Sequence, residues 1–246
     1  HSDKLTSLIV PKNSKSVLSE SFRSLRTNIQ YLAVDKTKKV ITVSSSIGGE
    51  GKTFCSMNIA SIFALSGKKT VLIGADLRKP KLELEFKSEN KSGLSNYLIN
   101  KSTLKEITNK TEVENLDIIF SGPTPPNPAE LLDSTKMQEL IKKLNIEYDY
   151  VIIDTPPIGL VTDGVILMKN ADINLYVVRH NYTKYQALSV VNGLYNNKKV
   201  ENLQIIINDY QNDIGNYGYG YGYGYGYGYG YGYGGGYGYY EEDEKS

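Results

Sequence analysis

The sequence predicts an α/β fold: a doubly wound, mainly parallel sheet with helices on both faces, followed by a disordered Gly/Tyr tail at the C-terminus. Three observations predict it. Six short apolar runs alternate with helical stretches, the pattern of strands buried on both faces. A glycine-rich turn joins the first of these runs directly to a helix. Near the end the periodicity stops, and twelve tyrosines between Tyr217 and Tyr240 are set almost entirely among glycines.

Taken in order, residues 16–33 place apolar side chains at Leu18, Phe22, Leu25, Ile29 and Leu32, alternating steps of four and three that make an amphipathic helix. "KKVITVSSS" is the first strand. "GKTFCSMNIASIFALSG" is a helix closed by Gly67. "KTVLIGADLRKP" is a second buried strand, stopped at Pro80. Residues 81–113 are polar and ambiguous, with a short helix at Leu94–Ile99. "NLDIIFSG" is a third strand. "NPAELLDSTKMQELIKKLNIEY" reads as one helix, entered through Asn127 and Pro128. "YDYVIIDTPP", "DINLYVVR" and "NLQIIIND" are the last three strands, with helical stretches near 162–170 and 183–196. Ligands of such sheets bind at the carboxyl ends of the strands, where every motif below falls.

Composition narrows the function classes. The 246 residues are 40% hydrophobic and 22% charged, which suits a soluble globular body at 1–212 with a flexible tail at 213–246. A formal net charge of +1 is too mild to argue for nucleic acid as a partner. Cys55 is the single cysteine, so no internal disulfide forms, and no Cys/His cluster suggests zinc. No apolar run approaches the ~20 residues needed to cross a bilayer. The start "HSDKL", without methionine, reads as an excised domain, which leaves room for membrane segments upstream in a parent protein.

Between the first strand and its helix stands "SIGGEGKT", Ser46 to Thr53. It follows the P-loop pattern G-x-x-x-x-G-K-[ST], with Ser46 in place of the first glycine. Gly48, Gly49 and Gly51 let successive backbone N–H groups turn inward as an anion nest, and the helix beginning near Lys52 adds its positive end. Lys52 reaches the β- and γ-phosphates and the Thr53 hydroxyl binds Mg²⁺. Ser46, Gly48, Gly49, Glu50, Gly51, Lys52, Thr53 and Phe54 are therefore the expected nucleotide-binding stretch. Phe54 and Cys55 pack under the loop without chemistry of their own. This makes the sheet P-loop NTPase-like.

Two aspartates end strands. "VIID" puts Asp154 at a strand tip, the Walker B arrangement in which a carboxylate holds Mg²⁺ directly or through water. Asp76 follows the second strand, with Arg78 and Lys79 close behind. A second carboxylate beside the γ-phosphate either binds metal or takes the proton of an incoming hydroxyl. A phenol, with an ordinary pKa near ~10, needs such help at neutral pH. The bland alternative is a surface Asp–Arg pair. Lys52, Asp76 and Asp154 are the candidate catalytic residues; Thr53, Asp76 and Asp154 are the candidate metal ligands.

From about residue 16 to 210 the chain resembles the bacterial tyrosine kinases of capsule and exopolysaccharide biosynthesis. The resemblance rests on "ESFRSLRTNI", "SSSIGGEGKT", "LIGADLRKPKL", "GPTPPNPAELL" and "YDYVIIDTPP". It implies ATP and Mg²⁺, and autophosphorylation of the C-terminal tyrosines in trans within a ring-like homo-oligomer. It also implies a transmembrane activator, in the same chain or as an adaptor, and a place at the cytoplasmic face of the inner membrane. Asn208, after the last strand, would meet the adenine; a strand-end cap is the alternative. Arg179 and Thr183 share that sheet edge without an assigned role. One departure stands out. The family's second Walker block carries D-x-D, and here Gly74 takes the first position. Either Asp76 then serves as base, or deprotonation relies on Mg²⁺ and the γ-phosphate.

On the first helix Glu20, Arg23 and Thr27 lie roughly opposite the apolar stripe, with Arg26 on its flank. Spacing alone allows Glu20 and Arg23 to pair with each other. The resemblance instead makes "ExxRxxR" an intersubunit motif.

The tail lacks the apolar content to pack, and its glycines oppose ordering. As a flexible chain ~30 residues span roughly 30 Å, enough to reach an adjacent protomer's nucleotide. Tyr217, Tyr219, Tyr221, Tyr223, Tyr225 and Tyr227 are expected phosphoacceptors, and so are Tyr229, Tyr231, Tyr233, Tyr237, Tyr239 and Tyr240. Two other readings use the same residues: a partition-type ATPase switch with incidental tyrosines, and a scaffold whose Gly/Tyr tail coheres by stacking.

Overall fold

The computed structural model describes residues 16–32, 39–88, 92–159, 163–197 and 200–210. The twelve tail tyrosines lie outside these residues. Helix α1 (Val17–Tyr31) leads into β1 (Lys39–Ser45), α2 (Lys52–Leu65) and β2 (Thr70–Gly74). Three short helices follow, α3 (Leu82–Glu85), α4 (Leu94–Leu98) and α5 (Leu104–Ile107), then β3 (Thr108–Lys110) and β4 (Leu116–Ile119). The chain continues through α6 (Pro128–Asp133), α7 (Thr135–Glu147) and β5 (Tyr150–Asp154). It closes with α8 (Asp163–Met168), β6 (Ile173–Arg179), α9 (Leu188–Asn196) and β7 (Leu203–Asn208).

The sheet order is β3-β4-β2-β5-β1-β6-β7, parallel throughout except for β3 at the edge. The chain leaves β1 toward β2 on one side, while β6 and β7 build outward on the other. Such a reversal opens a crevice at the carboxyl tips of the central strands. Register matters here: Val43 of β1 and Gly74 of β2 both pair with Asp154 of β5, so the tips of three strands meet at one level.

One core lies between α1, α2 and the sheet, around Phe22, Ile29, Ile59, Phe63 and Leu72. A second lies under α4 and α7, around Leu94, Leu140, Leu144 and Val151, and a third around Met168, Tyr176, Val191 and Leu194. Twelve of the fourteen residues of α2 are buried, which makes it a central helix rather than a surface one. Its polar side chains turn back onto the helix, Ser61 Oγ to Met57 O at 2.7 Å and Ser56 Oγ to Lys52 O at 2.6 Å.

Two expectations about elements change. The helix expected over 127–148 is two helices, because Ser134 takes an extended conformation and its Oγ accepts the Met137 N–H at 3.2 Å. A local cap competes successfully with helix continuation there. The ambiguous stretch 81–113 contains β3, a seventh strand of three polar residues. It pairs antiparallel with β4 and adds a Lys110–Asp117 ion pair at 2.8 Å, but it carries no apolar side chain, so no apolar period announced it.

Candidate active site

Strand β1 is fully buried and ends at Ser45, so the chain must turn into α2 beneath the sheet tips. The turn uses two left-handed glycines, Gly49 at φ +89° and Gly51 at φ +91°, conformations that disfavour any side chain. Gly51 is required twice over, since a Cβ there would collide with the Asn208 amide. The loop and the α2 N-terminus together form a concavity of backbone N–H groups suited to phosphate.

Lys52 sits at the mouth of α2 between two carboxylates. Its Nζ lies 3.3 Å from Asp76 Oδ2 and 3.6 Å from Asp154 Oδ1, with all three side chains less than a tenth exposed. Thr53 Oγ1 donates to Asp154 Oδ2 at 2.8 Å, and Ser56 Oγ shares its one proton between Lys52 O at 2.6 Å and Asp154 Oδ1 at 3.1 Å. Burial pushes the Asp154 carboxyl above the ordinary range, against the pull of Lys52 and the two hydroxyls. Asp76 accepts the Lys79 N–H at 3.0 Å, which fixes its carboxylate toward Lys52. Lys52 and Thr53 thus converge with Asp76 and Asp154, remote from them in sequence, on one point.

The remaining expected residues take other places. The Ser46 side chain points away from the loop interior, its Oγ 2.7 Å from the buried Tyr176 hydroxyl. Glu50 is fully buried; Oε2 accepts the Ile47 N–H at 2.8 Å and Oε1 accepts the Thr183 hydroxyl at 2.5 Å. Its carboxylate therefore braces the loop. Phe54 packs edge-on against Phe22 of α1, ring centroids 5.9 Å apart. Asn208 Nδ2 donates to Glu50 O at 3.0 Å. Gly48 carries no φ in the left-handed range, and a Cβ there would meet open space. On α1, Glu20 is exposed and its carboxylate pairs with Arg23 at 2.6 Å within the same helix, while Arg26 is half-buried.

Several participants, Arg179 among them, have no role assigned by the sequence. The tips of β6 and β7 latch onto the loop: Arg179 Nη1 donates to Gly49 O at 3.1 Å and the Tyr182 hydroxyl donates to Gly48 O at 3.0 Å. Ser56 lies four residues beyond Lys52 on the buried side of α2, a spacing that could have flagged it. Arg78 does not form a surface pair with Asp76; its Nε and Nη2 grip the buried Asp163 at 2.7 and 3.3 Å.

Cys55 is buried directly behind this cluster. Burial, and then the Asp154 charge, push its thiol up to about 12. In the folded protein Cys55 is expected to resist Ellman's reagent at pH 8, reacting fully only after denaturation. Rapid reaction in native buffer would contradict that placement.

Comparison with known proteins shows the family. The model of an AAA domain family (AAA_31) matches residues 38–209. The chain is 42% identical over 177 residues to the tyrosine-protein kinase YwqD of Bacillus subtilis, covering 72% of this chain and 75% of that one. Among solved structures, the chimerical protein CapA2B2 superposes with a TM-score of 0.77 at 36% identity, covering 82% of this chain and 88% of its own. The kinase domain of the Escherichia coli tyrosine kinase ETK superposes with a TM-score of 0.71 at 30% identity, covering 82% and 80%. With a phosphate-binding loop, a lysine and two strand-tip aspartates assembled on that shared fold, the chain belongs to the bacterial tyrosine kinases built on an AAA-type nucleotide-binding domain.

Proposed function

We propose that this tyrosine kinase uses ATP and Mg²⁺ to phosphorylate its own C-terminal tyrosines, in trans between copies of a ring-like homo-oligomer. In this reading residues 1–212 form the kinase domain and residues 213–246 its acceptor tail. The reaction would regulate polysaccharide export at the cytoplasmic face of the bacterial inner membrane, under a transmembrane activator. Among the described residues no helix is long and apolar enough to cross a membrane, so such an activator would be another segment or another chain.

The observation that carries the reading is the placement of Lys52 between Asp76 and Asp154 at the mouth of the glycine-rich loop. Two carboxylates and a hydroxyl are the hard oxygen donors that suit Mg²⁺, which shares its shell with phosphate and water rather than filling a protein cage. Thr53, Asp154 and Asp76 would hold the ion, which when bound offsets charge on the transferring phosphoryl group. The loop N–H groups and Lys52 would bind and orient the β- and γ-phosphates. If Asp76 is not engaged by the ion, its carboxylate would instead accept the proton of an incoming phenol. In-line positioning and electrostatic stabilisation are the main contributions a protein makes to this chemistry.

Incubation of the full chain with γ-labelled ATP and Mg²⁺ tests the reading. Label on tyrosine supports it. Release of free phosphate alone favours an ATPase switch, and neither product favours a scaffold.

A further inference from the structure

The carbonyls of the glycine-rich loop are held from outside. Ser45 Oγ donates to Ile47 O at 2.9 Å and the Tyr182 hydroxyl to Gly48 O at 3.0 Å. Arg179 Nη1 donates to Gly49 O at 3.1 Å and Asn208 Nδ2 to Glu50 O at 3.0 Å. Four successive C=O groups thus each meet a side-chain donor, and three of those donors come from the tips of β6 and β7. Strand register brings them there, because Arg179 pairs with Asn208 where the two strands end.

What these contacts supply is orientation. Water satisfies a surface carbonyl, so the loop needs no ordered side chains merely to fill its acceptors. A trans peptide points its N–H away from its C=O. Holding Gly48 O and Gly49 O from one side therefore turns the Gly49 and Glu50 N–H groups to the other, the arrangement of an anion nest. The need is greatest here, since the peptide between Gly48 and Gly49 has glycine on either side and rotates at little steric cost. Tyr182 sits directly against it: a Cβ at Gly49 would lie 2.8 Å from the phenol oxygen. Arg179 is itself held. Its Nε and Nη2 each lie 3.0 Å from Asp209 Oδ2, and its guanidinium lies 5.2 Å from the centre of the Tyr182 ring.

We propose that Asp209, Arg179 and Tyr182 form a clamp that presets the phosphate loop. Tyr182 and Arg179 fix two consecutive peptides with their N–H groups turned inward, and Asp209 fixes Arg179. All three are positioning residues, acting on the ligand through the loop. The proposal rests on the kinase reading above for the identity of that ligand, a nucleoside triphosphate. Arg179 and Asp209 are partly exposed, and a pair of that kind contributes little to the stability of a fold. The clamp therefore shows itself in binding and not in melting.

The test is a titration of the full chain with a fluorescent ATP analogue in Mg²⁺, beside thermal melts. Tyr182→Phe keeps the ring against Arg179 and removes only the hydroxyl. It is expected to weaken binding about fivefold, the scale of one neutral hydrogen bond, and Arg179→Ala about tenfold, the scale of one with a charged donor. Asp209→Gly separates orientation from charge. It removes a negative charge beside an anion site, which by electrostatics alone would tighten binding. Loss of the group that holds Arg179 should instead weaken it, about threefold, and glycine suits the backbone there at φ +53°. Melting temperatures should hold in all three variants. Tyr182→Phe or Arg179→Ala binding as tightly as the unmodified chain overturns the proposal, and so does Asp209→Gly binding as tightly or more tightly. Affinity lost only together with melting temperature marks a general defect and counts against the clamp as well. If the unmodified chain does not bind the analogue, the kinase reading fails and this proposal with it. If it binds and Tyr182→Phe matches it, only the clamp fails.

Discussion

Lys52→Met is expected to lower phosphoryl transfer by about three orders of magnitude, the scale of losing one electrostatic anchor of a transition state. The same change should also weaken the nucleotide-free fold, for a separate reason. Lys52 is the cation within 3.3 and 3.6 Å of two buried carboxylates. Stranding a buried charge costs about 3–5 kcal/mol when it stays ionised. Burial already pushes the Asp154 carboxyl up, and Lys52 is the largest influence pulling it back. Without Lys52 the folded value rises further above the unfolded one. The folded state then keeps a proton that the unfolded chain has released, so stability falls as pH climbs from the ordinary carboxylate range through the raised value. The deficit in melting temperature relative to the unmodified protein should thus be larger at pH 8 than at pH 5. Thermal melts at the two pH values, beside a γ-label assay, check both halves. A deficit that does not change with pH would place the lost stability elsewhere.

Replacing all twelve tyrosines from Tyr217 to Tyr240 with phenylalanine should remove most of the label while leaving nucleotide affinity unchanged. Phenylalanine keeps the ring and deletes only the acceptor oxygen, so a merely cohesive tail would survive the change. Any one tyrosine replaced singly should cost little, because its neighbours present the same phenol on the same glycine-rich backbone. Label stoichiometry by mass spectrometry, with a fluorescent nucleotide titration alongside, separates the outcomes. Undiminished label on the twelvefold variant would move the acceptor into the folded domain.

Much of this architecture could be read before any coordinates. The six long strands, α1 and the loop from Ser46 to Thr53 announce themselves through short-range signals: unbroken apolar runs, a 3.6-residue period, and glycines ahead of a Lys-Thr pair. Asp154 was placed at its strand tip because burial and polarity change abruptly within "VIIDT". What escaped had no local signal, or one that a stronger signal hid. The polar edge strand β3 has no apolar period; backbone pairing and the Lys110–Asp117 ion pair hold it to β4. The break at Ser134 lay inside an otherwise continuous helical pattern.

Chain-local chemistry thus specifies the sheet, the phosphate cradle and the two strand-tip acids, since each depends on neighbours a few residues away. The surroundings of those groups depend on strand order. Glu50 meets Thr183 across 133 residues and Asn208 across 158, Arg78 meets Asp163 across 85, and Glu83 meets Ser121 across 38. No periodicity or motif encodes such pairings. They exist because β1 lies between β5 and β6 and because α3 folds back toward the exit of β4, so packing brings together groups remote in the chain.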